Sequence, residues 1–455
     1  MGISGTNPNT SDQPTAAVLV AFHFPPLNVV AAQRGLRLAR ALLDRYDRVY
    51  VIRQDWRRLD PAVLDHEFAK DVLDHPRLVC IDSEPLLARR GYSAATSIVH
   101  RLVGGIFTRL LCGPGVDWIP ALSKALASLP PSIIVKVLVA SGPPFVSFGA
   151  CVRWAARRHV PVILDYRDLW SRNPISAYPR IARILVNRLL ERPINRAATV
   201  LSTVSHGCKE MILRDSTDLV VRVLLNSPDA AYRRFFGEIA GAKLRSAKSS
   251  NQDDFSRFRI VFTGQVYPHC TFAPVIRALL QVPKAILDRV EVHYFGGCSA
   301  MIHREFDRFG IEDFLVDHGM VSKAESVEAI LDADLLLSLV HTESVSSDPS
   351  VSGLMTTKIY DYFLSGNPIL NIGPTDAEVN RFAQDIGYTA FHSFVAGDTV
   401  GLSRFLQGAI DGGILKSLEP CSLEMPDFSS VFRGILLDTE RIGGIDECPG
   451  TMSDS

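Results

Sequence analysis

Short unbroken apolar runs recur along this chain, and most lead into segments with helical spacing of apolar residues. Residues 16–22 (AAVLVAF) form the first run, as expected for a strand buried on both faces. It leads into His23-Phe24-Pro25-Pro26 and then into a helical pattern carrying Arg34, Leu36, Leu38, Ala39, Leu42 and Leu43. Residues 48–52 give the next strand, so the chain opens as a βαβ unit. Further strands are expected at 133–140, 162–164 and 197–200. The second half repeats the scheme, with strands at 259–262, 290–295, 335–340 and 369–372 and a helix at 428–442. Strands alternating with helices predict parallel α/β sheets, and the restart near residue 258 predicts two of them.

Residues 353–374, GLMTTKIYDYFLSGNPILNIGP, carry the densest local signals. Residues 358–365 make two helical turns with Ile359, Tyr362 and Phe363 on one face. Gly366 suits the stop, because glycine takes the left-handed conformation without steric cost, and Asn367-Pro368 prevents resumption. Lys358 and Asp361 share a face at the helix start, where free N–H groups and the positive dipole end favour an anion. A cation, a carboxylate and such a helix start suit a nucleotide diphosphate with its ribose. A solvated ion pair between the two residues accounts for them equally well.

At 455 residues the chain has room for two to three domains, and 47% apolar residues suffice for large cores. The net charge of −1 conceals an asymmetry: residues 1–230 carry 29 Lys/Arg against 19 Asp/Glu, the remainder 19 against 30. Halves of opposite sign suggest domains with different partners, unless charge merely drifts between them. Eight scattered cysteines without a C-x-x-C pair speak against a zinc site or a disulfide framework and suit a reducing cytosol. No signal peptide and no run of eighteen apolar residues is visible, so a cytoplasmic protein is expected. Residues 102–112 (LVGGIFTRLLC) read first as a core helix and second as a membrane-facing one edged by Arg101 and Arg109. Arg89-Arg90 and Arg157-Arg158 add basic pairs that would suit an anionic membrane surface.

Several chemistries find no support. There is no G-x-G-x-x-G, P-loop, H-E-x-x-H or G-x-S-x-G motif, and the basic residues are not interleaved with aromatics as in RNA-binding proteins, so no nucleic-acid partner is expected. Arg167 and Asp168 follow a strand's carboxyl end, where open α/β sheets bind ligands, although a loop-stabilising pair would look the same. His23 and His318 each stand at a strand end or turn, and each also fits a structural role.

KIYDYFLSGNPIL at 358–370 resembles the nucleotide-sugar segment of family-4-like GT-B glycosyltransferases, bacterial nucleotide-sugar-dependent enzymes of surface polysaccharide assembly. Asp361 stands where that family usually has the glutamate that holds the donor ribose. The companion acid of the family's motif would fall at Gly353. SGPPF at 141–145, then LDYRDLW at 164–170 with Asn173-Pro174, resembles the family's cleft segment. LLNSPD at 224–229 resembles its Asn-Gly-x-Asp segment, with Ser227 for the glycine, and FLVDHGMVS at 314–322 resembles its base-binding turn. After Gly264 many members carry an Arg and a Lys that grip the diphosphate. This chain reads GQVYPHCTF there, which leaves more of that work to Lys358.

The resemblance implies an α/β chain of GT-B type, with two Rossmann-like doubly wound domains facing across a cleft. Residues 16–230 would be the acceptor domain and 258–427 the nucleotide-sugar domain. Residues 231–257 would link them and 428–442 would be a crossover helix, with disordered tails at 1–15 and 443–455. Arg167 and Asp168 would be catalytic. Gly264, Met320, Val321, Lys358 and Asp361 would bind the donor, and His23, Pro26 and Arg34 would line the acceptor side. The implied reaction is sugar transfer from a nucleotide sugar to a glycan or lipid-linked acceptor, retaining and without metal or other cofactor, in a protein peripheral to the inner face of the membrane. A nucleotide-sugar 2-epimerase and a non-catalytic sugar-nucleotide-binding module share the pattern.

Overall fold

The computed structural model describes residues 14–444 apart from 28, 58, 60–63, 87–104, 174–177, 248–256, 268–269, 343–350, 352, 413–414 and 416. The chain forms two units. The first comprises the residues up to Val204, Cys208–Leu225 and the chain from Phe428 onward. The second comprises Ser205–Gly207 and Asn226–Asp427.

The first unit is built on β1 (Thr15–Ala21), β2 (Arg48–Gln54), β3 (Leu78–Ser83), β4 (Ile134–Gly142), β5 (Val162–Tyr166), β6 (Val200–Thr203) and β7 (Val221–Val223). They form one parallel sheet in the order β3-β2-β1-β4-β5-β6-β7. β1 shows why its sequence is an unbroken apolar run. Ala16, Val18 and Val20 enter a core on one face with Trp118, Phe148, Tyr166 and Trp170. Ala17, Leu19 and Ala21 enter a second core on the other face. That second core receives Leu36, Leu38, Ala39, Leu42 and Leu43 from the helix Val30–Leu43, and Phe428, Phe432, Ile435 and Leu436 from the helix Phe428–Ile442.

The second unit repeats the plan with β8 (Phe258–Thr263), β9 (Val290–Phe295), β10 (Leu315–Asp317), β11 (Leu335–Leu339), β12 (Ile369–Ile372) and β13 (Phe391–Phe394). The sheet is parallel in the order β10-β9-β8-β11-β12-β13. In each sheet the strand order reverses once, beside β1 and β4 in the first and beside β8 and β11 in the second. Crevices at the carboxyl ends of such strands are where open α/β sheets take ligands.

Three expectations are corrected. Residues 231–247 are not a linker: the helix Ala230–Ala247 runs through them, with Tyr232, Phe236 and Ala240 buried at i, i+4 and i+8. The polar stretch 248–256 lies outside the described residues. The core-helix reading of 102–112 also fails where it can be checked. Residues 105–110 are helical with Ile106, Phe107 and Leu110 exposed, while Leu111 and Cys112 pack into the core. Arg89, Arg90, Arg101 and residues 102–104 lie outside the described residues. Thr15, placed in a tail by the sequence, begins β1 and donates both its N–H and its hydroxyl to Asp47 Oδ2.

Candidate functional site

In the second unit, β8 ends at Thr263 and the chain turns at Gly264, whose φ of +95° is open to glycine at little cost. The turn is held from two sides. Gly264 N–H donates to Phe295 O at 2.7 Å, and Thr263 N–H donates to the buried Tyr362 hydroxyl at 3.0 Å. A Cβ at Gly296 would lie 2.3 Å from the Gly264 carbonyl oxygen, so the ends of β8 and β9 close on each other only because residue 296 is glycine.

Tyr362 belongs to the helix Lys358–Ser365, which ends at Gly366 with φ +75°, where the sequence predicts. This anchoring brings Lys358 to the Gly264 turn: a Cβ on Gly264 would meet Lys358 Cε at 3.9 Å. The Lys358 ammonium stands 3.2 Å from the centroid of the Phe262 ring. It makes no hydrogen bond or ion pair to any described residue. Burial, only partly offset by the neighbouring Cys270 and Cys298 thiols, pushes its pKa down to about 7.

Asp361 does not pair with Lys358. It is 8% exposed, its Oδ1 accepts from the Tyr232 hydroxyl at 2.8 Å, and its Oδ2 accepts from Lys323 Nζ at 2.6 Å. Lys323 opens the helix Lys323–Leu331, which Ser322 and Glu325 start with a reciprocal capping box. Met320 and Val321 lie in the turn just before it. Met320 is 72% exposed and would touch a Cβ on Gly297 at 3.3 Å, and Val321 is half-buried. Preceding them, the His318 ring lies flat on Phe295, centroids 4.1 Å apart, with its Nε2 3.0 Å from His293 Nδ1. Gly264, Met320 and Lys358 therefore share one neighbourhood at the carboxyl ends of β8 and β9, and Lys323 ties Asp361 to its margin. Gly353 is buried, with its carbonyl accepting from Ser205 Oγ at 2.7 Å, and a Cβ on Gly207 would come within 2.5 Å of its Cα.

In the first unit, β5 delivers Asp165, Arg167 and Asp168 to its carboxyl end. Asp165 is fully buried and bonds Arg34 twice, Oδ2 to Nε at 2.8 Å and Oδ1 to Nη2 at 2.6 Å. Ser141 and Ser202 hydroxyls each donate to it at 2.8 Å, and Arg34 Nη1 donates to Leu224 O at 3.0 Å. Burial opposes the Asp165 charge, but Arg34 and the two hydroxyls outweigh it and hold the carboxyl below the usual range. Arg34, expected on the acceptor side, is 2% exposed and instead braces helix and sheet from within. Pro26 is buried too, its carbonyl accepting from Asp65 N at 2.7 Å.

Arg167 donates to the carbonyls of Gly142 at 2.7 Å, Ala31 at 2.9 Å and Pro143 at 3.3 Å. That is a positioning arrangement for the first turn of the helix Val30–Leu43 and the loop after β4. Asp168 is exposed and makes no hydrogen bond or ion pair to any described residue. Half-buried His23 has its Nδ1 without a partner among the described residues. Burial, then the Arg167 charge, pulls the imidazole down to about 4, so it is neutral at pH 7.

Nothing in the local pattern pointed to Tyr232 and Lys323 as partners of Asp361, nor to His341, a non-glycine residue at φ +52° just beyond the end of β11. The spacing of Ser322 and Glu325 is a local signal that would have placed Lys323 at a helix start. A cavity of about 550 Å³ lies along the β12 and β13 ends, lined by Asn380, Gln384, Tyr388 and Ser393 among others. It contains no cation and none of the residues around Lys358. Among the described residues no group of His, Cys, Asp or Glu is arranged to hold a metal ion.

No protein-family model matches this sequence, and no curated protein matches it. Solved structures do. HepE from Anabaena, in complex with UDP, aligns over 95% of this chain and 98% of its own, with a TM-score of 0.53 at 12% identity. Sucrose-phosphate synthase from Thermosynechococcus elongatus aligns over 95% and 94%, with 0.54 at 13%. A UDP-forming α,α-trehalose-phosphate synthase from Burkholderia xenovorans, in complex with glucose-6-phosphate, aligns over 94% and 97%, with 0.57 at 11%. At these identities the likeness establishes the fold: two parallel α/β sheets of GT-B type.

Proposed function

We propose that this chain is a glycosyltransferase that moves a sugar from a nucleotide-sugar donor to a glycan or lipid-linked acceptor, with retention and without a metal ion. The observation that carries the reading is Lys358, an ammonium without a counter-charge among the described residues, set beside the Gly264 turn at the carboxyl edge of the second sheet. A diphosphate would supply the missing anion, and the same charge would stabilise the departing nucleoside diphosphate. Asp361 keeps acceptor capacity on both oxygens for ribose hydroxyls. The Met320–Val321 turn beside the His318–Phe295 stack would receive the base. The UDP bound to HepE makes uridine donors the first to try. The reading includes a cytoplasmic protein peripheral to the inner face of the membrane. Among the described residues no helix is long and apolar enough to cross one.

In this reading Asp168 contacts the acceptor, and Arg167 positions the loops around it. Asp168→Asn is expected to lower kcat by about tenfold with a smaller effect on stability, since no described residue bonds the side chain and burial, opposed by the Arg167 charge, already pushes its carboxyl up. A variant that loses stability but keeps kcat would remove Asp168 from the mechanism.

The deciding experiment is a thermal-shift screen over nucleotide sugars, followed by assay of nucleoside diphosphate release with mixed acceptors. A ligand at a hundred times its Kd stabilises by about 2.7 kcal/mol. No shift with any nucleotide sugar would sink the reading. A second reading, a non-catalytic sugar-nucleotide module, is favoured by Gly353 in place of an acid and by the partners Asp361 already has. Binding without release in any acceptor mixture would select it. Consumption of donor with no acceptor present would point instead to a 2-epimerase.

A further inference from the structure

A surface helix normally turns its apolar stripe inward and its polar face outward. The helix Arg180–Val186 and the π-turn Asn187–Glu191 that continues it break this rule. Ala182 and Val186 suffice to fill the inner contact with the core. Outward stand Ile181 at 73% exposure, Ile184, Leu185, and Leu189 at 67%, spaced as a second apolar stripe. Residues 105–110 present another such face through Ile106, Phe107 and Leu110.

The two faces are held together. Trp170 Nε1 donates to Leu111 O at 2.9 Å and Arg183 Nε donates to Ser171 O at 2.6 Å, so consecutive residues of one turn fasten both segments. Leu111, Cys112, Ala182, Val186 and Leu190 all pack into the same core. The charge is one-sided. Residues 105–116 and 178–190 contain Arg109, Arg180, Arg183 and Arg188 and no acidic residue. Arg109, Arg180 and Arg188 are exposed.

We propose that these two faces form one docking surface for an anionic lipid leaflet, with the apolar stripes entering the headgroup boundary and the arginines meeting lipid phosphates. Apolar area with flanking arginines and no acid is the composition that lies in a membrane interface. A protein partner of ordinary charge mixture would leave the exposed arginines unmatched, whereas anionic headgroups match Arg109, Arg180 and Arg188. The inference rests on the membrane-peripheral part of the proposed function, which it deepens, and not on the donor assignment.

The test is co-flotation of the full chain with phosphatidylcholine vesicles, with and without about one third phosphatidylglycerol. Binding to the anionic vesicles is expected, decreasing as salt rises. Ile181→Glu with Leu189→Glu should weaken it by at least about tenfold. Arg180→Glu with Arg188→Glu should abolish the preference for anionic lipid. Leu437→Glu, at a half-exposed apolar position on the helix Phe428–Ile442, should leave binding unchanged. The substituted side chains are exposed, and circular dichroism with an unchanged thermal midpoint verifies folding. Absence of flotation at low salt, equal binding to neutral vesicles, or insensitivity to the stripe substitutions would overturn the proposal. So would a dimer in ultracentrifugation that the stripe substitutions dissociate, without vesicle binding, which would assign the face to a second copy. No nucleotide sugar is present in the assay, so a negative result removes the membrane-peripheral part of the proposed function and leaves sugar transfer itself to the thermal-shift and diphosphate-release tests.

Discussion

Asp165→Asn is expected to cost about 3–5 kcal/mol of stability, because it leaves the Arg34 guanidinium buried without its counter-charge. Both groups are almost fully removed from water, at 0% and 2% exposure, and the carboxylate accepts four hydrogen bonds from three side chains. Arg34→Lys should be nearly as damaging, since an ammonium can reproduce neither the two-pronged contact nor the reach to Leu224 O. The pH dependence follows from the direction of the Asp165 shift. Its carboxyl is held below the ordinary value, so the contribution is complete above the unfolded aspartate range and is lost as pH falls through the folded value. Urea titration of wild type and variant at neutral and acidic pH checks both. The two should converge in acid, and a difference under 1 kcal/mol at pH 7 would show that other contacts hold the first sheet. Two units give room for two transitions, so the one that moves must contain the first unit.

Lys358→Ala is expected to weaken nucleotide-sugar binding by at least about tenfold, since a charge-assisted contact to phosphate contributes about 1.5–3 kcal/mol. A more specific outcome follows from its pKa of about 7 in the free protein. A diphosphate needs the charged ammonium, so affinity should fall as pH rises through that value, and binding at pH 8 should take up a proton. Calorimetry in buffers of different ionisation enthalpy measures that uptake directly. In the alanine variant the uptake should vanish with the affinity. Full affinity and full proton uptake in the variant would transfer the anion to another group.

Much of the fold was legible because it depends on near neighbours in the chain. The helix Lys358–Ser365, its glycine stop and β12 (Ile369–Ile372) lie where the local pattern puts them. The same holds for β9 and the helix Phe428–Ile442. β3 (Leu78–Ser83) was not legible: it is an edge strand, five of its six residues are only half-buried, and its apolar signal is correspondingly weak. The helix Ala230–Ala247 was obscured by charge, since Arg233, Arg234 and Glu238 interrupt the Tyr232–Phe236–Ala240 stripe that places it.

The candidate site divides along the same line. That two parallel α/β sheets form follows from the chain's local pattern alone, because buried runs and helical periodicity are properties of short windows. So does the lysine that opens the helix before Gly366, where an anion is favoured. Which groups that chemistry can reach depends on packing. Arg34 and Asp165 are 131 residues apart, Tyr232 and Asp361 129, and Lys323 and Asp361 38. No periodicity spans such separations, so the sequence placed Arg34 on the acceptor side and offered only Lys358 as an alternative ion-pair partner for Asp361. The same holds for the arginine-flanked stripe at Ile181 and Leu189. A helical pattern shows that apolar residues share a face, but only packing shows which face is covered, because burial is a property of what stands opposite.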